Sequence, residues 1–298
     1  MYTFLRVVAL LVLLALGGLG VFWLVTMPGH VPEKDYAGLT GDPAKGEMVF
    51  WAAGCASCHA APGAEGDARL VLSGGRSFAT DFGTFHAPNI SPSPEGIGGW
   101  SLLDLANAMQ RGVSPSGAHY YPAFPYTTYV RAAPQDVADL SAFLATLPAS
   151  DTPSEAHDVS FPFSVRRILG GWKLLFFSDD WVLDDPGSEE IARGRYLVEA
   201  LGHCGECHTP RNSLGGPDLS RWLGGAATPD GKGKVPNITP GALDWSEQDI
   251  AGYLKTGFTP EFDSAGGEMA EVVQNMSHLP DADLAAIAAY LKAVPAVK

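Results

Sequence analysis

The first feature of the hydrophobic pattern is one long apolar run near the start of the chain. No charged residue falls between Val7 and Met27, and the run is rich in Leu and Val. At about 1.5 Å per residue, a helix of this length spans roughly 30 Å, the thickness of a bilayer core. The run therefore predicts a transmembrane anchor over residues 1–29. A cleaved signal peptide is the alternative, although the nearest small-residue site, Gly18-Leu19-Gly20, lies inside the run.

A short segment rich in Pro and Gly, residues 30–41, follows the apolar run and predicts a stalk. Beyond it, apolar residues recur at helical spacing. Asp42 and Pro43 predict a helix start, and the helix continues over Lys45–Ala53. Ser101 predicts the cap of a second helix over Leu102–Arg111. A third helix is predicted from Pro134, with an apolar face of Val137, Leu140, Phe143, Leu144 and Leu147.

The second half of the chain repeats this order of helices. Ser188 predicts the cap of a helix that ends at Gly202, and further helices follow Ser246 and Pro280. Four landmarks recur: Cys55 and Cys204, Pro88 and Pro236, Ser101 and Ser246, Pro134 and Pro280, at offsets of 149, 148, 145 and 146. An ordered repeat of this kind predicts a duplicated structural unit. We therefore predict one domain over residues 42–148 and a second over 188–298, joined by a connector over 149–187.

The connector contains an apolar and aromatic stretch, residues 161–177, with Arg166, Arg167 and Lys173 interspersed. One interpretation is a segment packed across both domains. The other is an amphipathic segment that lies on the membrane surface beside the anchor. The sequence pattern fits both interpretations.

Composition narrows the range of partners. The formal net charge is −14 and the isoelectric point is about 4.8, so the chain lacks the basic surface expected of a nucleic-acid-binding protein. The 23 Pro and 35 Gly predict loops between short helices rather than extended sheet.

All four cysteines fall in two copies of one motif. Cys55-Ala56-Ser57-Cys58-His59 and Cys204-Gly205-Glu206-Cys207-His208 both read C-x-x-C-H, the attachment signature of a c-type haem. In this chemistry the two thiols bind the haem covalently and the histidine lies beneath the iron. We predict two covalently bound haem c groups. The alternative, a zinc site of four cysteines, leaves both histidines unexplained.

His59 and His208 are therefore the predicted proximal ligands. Pro88 and Pro236 lie where a backbone carbonyl can accept the other N–H of each proximal imidazole and so fix its orientation. The alternative is that both are simply loop prolines.

The predicted distal ligand of the second haem is Met269, in the loop before the last helix. A Met opposite the His raises the reduction potential of a haem. Met276 lies only four residues before Pro280, and we interpret it as a packing residue. Counting back from Pro280 and Pro134, at offset 146, places Met269 opposite Ala123.

The equivalent loop of the first domain contains no Met. It reads Tyr121-Pro122-Ala123-Phe124-Pro125-Tyr126, and Met109 lies in a predicted helix at core spacing. His119 is the nearest side chain able to bind iron, which predicts either a bis-histidine first haem or a five-coordinate or otherwise ligated iron. A hydrogen-bonding role for His119 is the alternative.

Several stretches resemble the cytochrome c subunits that serve periplasmic alcohol, aldehyde and gluconate dehydrogenases. They are Pro88-Asn89-Ile90, Gly194-Arg195-Tyr196-Leu197-Val198, the run from His203 to Asn212, Gly267 to Val273, and Asp283 to Leu291. The resemblance covers residues from about 42 onward. It implies a mainly α fold with two tandem class I cytochrome c-like domains after one transmembrane helix, and Met269 as the second distal ligand.

The chain departs from the best-known members of that family in two ways. Those members commonly carry three haem domains, whereas this chain has two. Their first-domain loop reads Tyr-Pro-Ala-Met-Pro-Tyr, and this chain has Phe124 in place of the Met.

The motifs and the resemblance together predict an electron carrier rather than an enzyme. It is expected in the bacterial inner membrane with both haem domains in the periplasm, because c-type haems are attached outside the cytoplasm. Its expected partners are a periplasmic dehydrogenase, an oxidase or a soluble cytochrome of the respiratory chain. The alternative is a dihaem enzyme, peroxidase-like or oxidising a small molecule, with substrate at the first haem.

Overall fold

The computed structural model describes residues 1–228 and 233–298 and is mainly helical. An N-terminal helix, α1 (Tyr2–Val25), precedes two helical domains. The first domain contains α2 (Pro43–Ala52), α3 (Cys55–His59), α4 (Leu102–Arg111), α5 (Tyr126–Tyr129) and α6 (Pro134–Leu144). The connector contains α7 (Ile168–Phe176). The second domain contains α8 (Glu189–Tyr196), α9 (Gly205–His208), α10 (Glu247–Thr256), α11 (Glu268–Met276) and α12 (Asp281–Ala293).

Among the described residues, the strands form two short antiparallel pairs. In the first domain β1 (Ser77–Thr80) pairs with β2 (Gly83–His86), and Phe78 faces Phe85 across the pair. In the second domain β3 (Ala226–Ala227) pairs with β4 (Lys234–Val235). Each pair follows a haem motif and precedes the proline landmark.

The predicted helix starts are confirmed by their capping contacts. The Asp42 side chain accepts from the Ala44 backbone N–H at 3.0 Å at the start of α2. Ser101 and Ser246 each form a reciprocal capping box with the residue three positions on. These contacts satisfy backbone N–H groups that an α-helix leaves unpaired at its start, so they fix where each helix begins.

The first and last helices of each domain cross in close contact. A Cβ atom at Gly46 of α2 would lie 1.9 Å from the Asp139 carbonyl oxygen of α6. A Cβ atom at Gly194 of α8 would lie 1.9 Å from the Ala286 carbonyl oxygen of α12. Because no side chain fits at that distance, glycine is required at both crossings. The equivalence of the two crossings confirms the predicted duplication of the fold.

The helix α1 stands outside both domains, and none of its residues is buried. Among the described residues it is the only helix long and apolar enough to cross a bilayer, a test that a signal sequence also meets. Its end is held by the body of the protein, since Thr26 is buried. Arg167 donates to the Trp23 carbonyl oxygen and, at 3.0 Å, to the Thr26 hydroxyl.

The segment predicted as a stalk packs against the first domain instead of standing free. Val31 and Tyr36 are buried, and the Val31 N–H donates to the Asn107 side chain of α4 at 2.9 Å. Tyr36 donates to Gln110 of the same helix. Residues 30–41 therefore pack on α4. Their Pro- and Gly-rich composition did not predict this contact.

The connector packs across both domains, which confirms that interpretation of residues 161–177. Lys173 of α7 donates to the Gly112 carbonyl oxygen of the first domain at 2.9 Å. Trp172 donates to the Leu214 carbonyl oxygen of the second domain at 2.9 Å. Contact of the same segment with a membrane stays a prediction.

Candidate haem sites and the interface between them

Each C-x-x-C-H motif forms one short helix directly after a reversal of the chain. Gly54, with φ of +67°, precedes α3, and His203, with φ of +43°, precedes Cys204 at the start of α9. One helical turn brings the two cysteines of a motif to the same side. In both motifs the chain therefore presents two thiols and an imidazole together.

Each predicted proximal histidine contacts the predicted proline carbonyl oxygen. His59 Nδ1 lies 2.8 Å from the Pro88 oxygen, and His208 Nδ1 lies 2.7 Å from the Pro236 oxygen. Because a carbonyl oxygen only accepts, the proton is on Nδ1, and Nε2 keeps the lone pair that an iron ligand needs. Burial lowers the pKa of both imidazoles, which favours this neutral form. The donor set and its tautomer fit a c-type haem at both sites.

A glycine packed in space against the loop of each landmark proline makes this arrangement possible. Gly74 donates to the His59 carbonyl oxygen at 2.7 Å, and Gly225 donates to the His208 carbonyl oxygen at 2.7 Å. Both have positive φ, and a Cβ at Gly74 would lie 2.5 Å from the Ala87 carbonyl oxygen. A side chain there would move the loop that orients the imidazole.

The asparagines after the two prolines fasten the same loops to the end of each domain. Asn89 Nδ2 donates to the Ser150 carbonyl oxygen at 2.7 Å, and Asn237 Nδ2 donates to the Val297 carbonyl oxygen at 2.8 Å. Both acceptors follow the last helix of their domain. Each proline loop is thus tied to the segment that follows the last helix of its domain, which for the first domain is the start of the connector.

The cysteines of the motifs are partly buried, except Cys207, which is exposed. Burial raises the pKa of Cys55 to about 12, that of Cys58 to about 11 and that of Cys204 to about 12. Burial is also the main cause that raises the pKa of Cys207. Before haem attachment, burial therefore disfavours the thiolate at all four positions.

Apolar side chains around the motifs occupy matching positions in the two domains. The matching pairs are Leu72 and Leu223, Ile90 and Ile238, Trp100 and Trp245, Leu105 and Ile250, and Met109 and Leu254. Met109 and Met276 both lie in the core, each 4% exposed, as expected of packing residues. The choice of Met269 rather than Met276 as the ligand stays a prediction.

The distal loops differ in sequence, and the backbone fixes how they correspond. Tyr120 donates to the Gly112 carbonyl oxygen and Ala265 to that of Gly257, and both pairs are related by an offset of 145. At this offset Met269 corresponds to Phe124, so the sequence-based match to Ala123 was wrong by one residue. The error arose because the second domain has one more residue between this point and its last helix. Ala123 is exposed, whereas Phe124 and Met269 both pack against the core.

His119 lies against the end of α1 instead of in the register of Met269. Its Nε2 is 2.9 Å from the Thr26 carbonyl oxygen, and the Arg166 side chain donates to the His119 carbonyl oxygen at 3.0 Å. The backbone bridge to Val113 makes it the counterpart of Ser264. These contacts engage Nε2 and do not bring His119 together with His59. Ligation of the first haem by His119 stays a prediction that they do not favour.

The helix that carries Met269, α11, is the distal helix of the second domain. It packs on the C-x-x-C-H motif of the first domain. Asn275 of α11 donates to the Ser57 hydroxyl at 2.6 Å. Arg69, which is buried, donates to Asn275 at 2.8 Å and to Glu271 at 2.6 Å. Trp51 stacks on His278 with ring centroids 3.8 Å apart.

The reciprocal contact joins α5, the distal helix of the first domain, to the C-x-x-C-H motif of the second domain. Thr127 of α5 donates to Glu206 at 3.1 Å. Glu206 and Ser57 hold the same place in their motifs, so the two halves of this surface are related as the domains are. Cys207 is close enough for a thiolate there to raise the pKa of Cys58. We call this surface, formed by α3, α5, α9 and α11, the inter-haem interface.

The residues of the inter-haem interface were not predicted from the sequence. Ser57 and Glu206 occupy variable positions of the motif, and Arg69 and Asn275 lie in unremarkable segments. Their partners are 79 to 218 positions away, a separation at which a single sequence carries no pairing signal.

Comparison with known proteins supports the presence of two haem-binding domains. The sequence model of the cytochrome c family matches residues 43–148 and again 191–295. A dihaem cytochrome c-type protein of Cereibacter sphaeroides is 60% identical over 289 residues, which cover 97% of each chain.

Two further relatives are subunits of dehydrogenases. The fructose dehydrogenase cytochrome subunit of Gluconobacter japonicus is 41% identical over 261 residues, 85% of this chain and 52% of that protein. The cytochrome c subunit of a quinone alcohol dehydrogenase of Gluconobacter oxydans is 36% identical over 270 residues, 85% and 55% of the two chains. This chain thus spans about half the length of these dehydrogenase subunits. It belongs to the cytochrome c family and carries two covalently bound haem c groups.

Proposed function

We propose that this member of the cytochrome c family is a membrane-anchored electron-transfer protein. It passes electrons between a periplasmic dehydrogenase or another redox donor and the respiratory chain. The observation that carries this proposal is the inter-haem interface, where each domain packs its distal helix on the other's haem motif. Such packing holds two redox centres at a fixed separation, which a carrier between two partners requires.

We assign the haem-binding roles from the motif chemistry. Cys55, Cys58, Cys204 and Cys207 form the thioether bonds, and His59 and His208 are the proximal ligands. Met269 is the distal ligand of the second haem. When bound, each haem supplies reversible one-electron chemistry at its iron.

The protein supplies orientation and exclusion of water. The Pro88 and Pro236 carbonyl oxygens hold the proximal imidazoles in one tautomer and one ring orientation. The fully buried Leu72 and Leu223 keep water from the haem cavities, and a dry site reduces the reorganisation that accompanies electron transfer.

The anchor and domain assignments are part of the same proposal. Residues 1–29 form a span of the bacterial inner membrane, 30–41 the link to the first domain, 42–148 and 188–298 the two haem domains in the periplasm, and 149–187 the connector. The exposed α1 and the firm contacts of its end with the first domain and α7 support this arrangement. An anchored carrier stays close to membrane-bound partners, which raises its effective concentration there.

The dehydrogenase partner is proposed from the relatives. Two of them are the cytochrome subunits of a fructose and an alcohol dehydrogenase. We propose a partner of this broad class, a periplasmic dehydrogenase, without assigning its substrate.

A dihaem enzyme is the second candidate, and Phe124 is the observation that favours it. No Met lies in this register of the first domain, so the first iron has room for an exogenous ligand. The same loop is closely packed, since Tyr126 is fully buried and Tyr121 nearly so. A packed loop leaves little space for a substrate, and we therefore favour the carrier.

The test uses membranes that contain the full-length holoprotein. We expect both haems to become reduced when the substrate of a periplasmic dehydrogenase is added, and to be reoxidised when oxygen is admitted. Removal of the gene should slow oxygen consumption with that substrate. Rapid turnover of peroxide by the purified protein, without any partner, would contradict the proposal and support the enzyme.

A further inference from the structure

A cavity of about 520 Å³ lies where the end of α1 meets the first domain and α7. It is lined by Val25, Met27, Gly29, His30, Arg111, His119, Gly170, Lys173, Leu174 and Phe177. The lining contains no carboxylate. The cavity is separate from both haem motifs and from the inter-haem interface, so the proposed function gives it no role.

Four cations gather around this cavity without acidic partners. Arg111 and Lys173 line it, and Arg166 and Arg167 flank it on the connector. In the described part of the chain no ion pair joins any of the four to a carboxylate. A protein with 33 acidic and 19 basic residues could easily have paired them. An unpaired cationic group at one place is what an anionic ligand requires.

Buried polar atoms at the cavity lack partners. Arg111 Nε and His119 Nδ1 are buried, and neither has a hydrogen-bond partner among the described residues. Buried polar atoms without a hydrogen-bond partner destabilise a folded protein. Since His119 Nε2 faces the Thr26 carbonyl oxygen, it carries the proton, and Nδ1 is an acceptor that awaits a donor. Both residues line the cavity, so an anionic ligand that carries a hydroxyl group would lie beside two side chains with unmet hydrogen-bonding capacity.

Lys173 is held in place by the protein, but its charge is not balanced. Its Nζ donates to the carbonyl oxygens of Arg111 and Gly112. Burial, together with the nearby Arg111 charge, lowers its pKa to about 7. An anion in the cavity would offset both effects.

The position of the cavity indicates where such a ligand comes from. Val25 is the last residue of α1, so the cavity opens at the level where a spanning helix leaves the bilayer. On the same side Leu174 and Leu175 of α7 are 63% and 68% exposed, although both are apolar. Apolar residues beside a cationic cavity match the acyl chains and headgroup of a lipid.

We infer that this cavity binds the headgroup of an anionic phospholipid, with the phosphate at Arg111 and Lys173 and a headgroup hydroxyl at His119. The inference rests on the proposed function in one respect, that α1 spans the membrane. A bound lipid fixes the angle between α1 and the first domain, and therefore the height of the haems above the bilayer.

The test measures lipid binding to the full-length holoprotein released from detergent, by native mass spectrometry. The probes are phosphatidylglycerol, which is anionic and carries hydroxyls, and zwitterionic phosphatidylcholine. We expect phosphatidylglycerol to be retained and phosphatidylcholine to be lost. Lys173→Gln and Arg111→Gln should each weaken phosphatidylglycerol retention about tenfold, because each removes one charge-assisted contact.

Matched variants separate the site from general charge effects. Lys45→Gln removes the same charge from an exposed position on α2 and should leave retention unchanged. Lys173→Arg keeps the charge and should restore most of the binding. Free inorganic phosphate at millimolar concentration should not displace the lipid, because the acyl chains add to its binding.

Two outcomes would overturn the inference. One is equal retention of both lipids by the wild-type protein. The other is saturable binding of a short-chain quinol that Lys173→Gln abolishes while phosphatidylglycerol binding persists. Failure of the anchor proposal would look different: every variant would separate from membranes in alkaline carbonate, whatever the lipid composition.

Discussion

The two domains place the proximal histidine in the same way and face its opposite side with different residues. Nδ1 of His59 and of His208 meets a proline carbonyl oxygen at 2.8 and 2.7 Å. Across the site, Phe124 packs where Met269 packs in the other domain. The proximal loop and the distal loop belong to separate segments of the chain. The distal segment can therefore change without disturbing the one that attaches the haem.

The domains also differ in what holds their proximal loop. The first-domain loop is tied to the connector, where Ser150 and His157 meet Asn89 and His86. The second-domain loop is tied to Val297. The connector that carries α7 thus also clamps the first haem site. The four predictions that follow test how far the two sites differ.

The largest difference should disappear when Met269 is removed. Met269→Ala should abolish the ferric Met–iron charge-transfer band near ~700 nm completely and lower the potential of the second haem, because a Met ligand raises it. Met276→Leu is the control: it is a core residue, so the band should stay and stability should fall by less than about 1.5 kcal/mol. A band that survives in Met269→Ala shows that the assignment is wrong.

The reverse substitution should make the first site resemble the second. Phe124→Met should add a second Met–iron band and raise the potential of the first haem. It should also reduce carbon monoxide binding by the ferrous protein, since the new ligand occupies the open side. His119→Ala should leave the wild-type spectrum unchanged, because this residue contacts α1. A changed spectrum in His119→Ala would instead support bis-histidine ligation.

The inter-haem interface should depend on Arg69. Arg69→Ala should lower the free energy of unfolding by about 2–3 kcal/mol, because it leaves Glu271 and Asn275 without a buried partner. Lys45→Ala breaks an exposed pair with Asp42 and should cost at most about 1 kcal/mol. Both values come from denaturant titration of the holoprotein. Equal effects would mean that the interface contributes no more than an ordinary surface pair.

The smallest effect should be a pH dependence that arises from the connector. Burial and the nearby Arg166 lower the pKa of His157 from 6.5 to about 4. Between these values the unfolded chain binds a proton that the folded protein does not, so stability falls as the pH falls through this window. We expect a loss of about 1–2 kcal/mol, after allowance for partial exposure of the side chain.

The control for this pH effect is His157→Gln, which cannot titrate. Its unfolding free energy should vary less between about pH 6.5 and 4 than that of the wild type. Monitoring the Soret band of each ferric haem should show the first site loosening before the second. Simultaneous loss of both sites would argue against a clamp specific to the first domain.

Most features of each haem site could be predicted from the sequence, because they depend on residues that lie close together in the chain or recur in the duplicated unit. The C-x-x-C-H spacing, the capping residues and the proline carbonyls all act within a few residues or recur in the duplicated unit. The match of Met269 to Ala123 failed by one position, since counting from a single landmark cannot detect an added residue within the loop. Only the backbone pairing at Gly112 and Gly257 revealed it.

The sequence by itself determined the number of haems, the two C-x-x-C-H motifs, the duplication and the long apolar helix, because each depends on spacing along the chain. Only the tertiary structure decided which residues form the inter-haem interface and which surround the end of α1. It placed His119 under α1, joined Ser57 to Asn275 across 218 positions, and gathered the four unpaired cations beside the anchor. These arrangements depend on how whole helices pack, and the free energy of packing is shared among many distant residues. No local pattern records it.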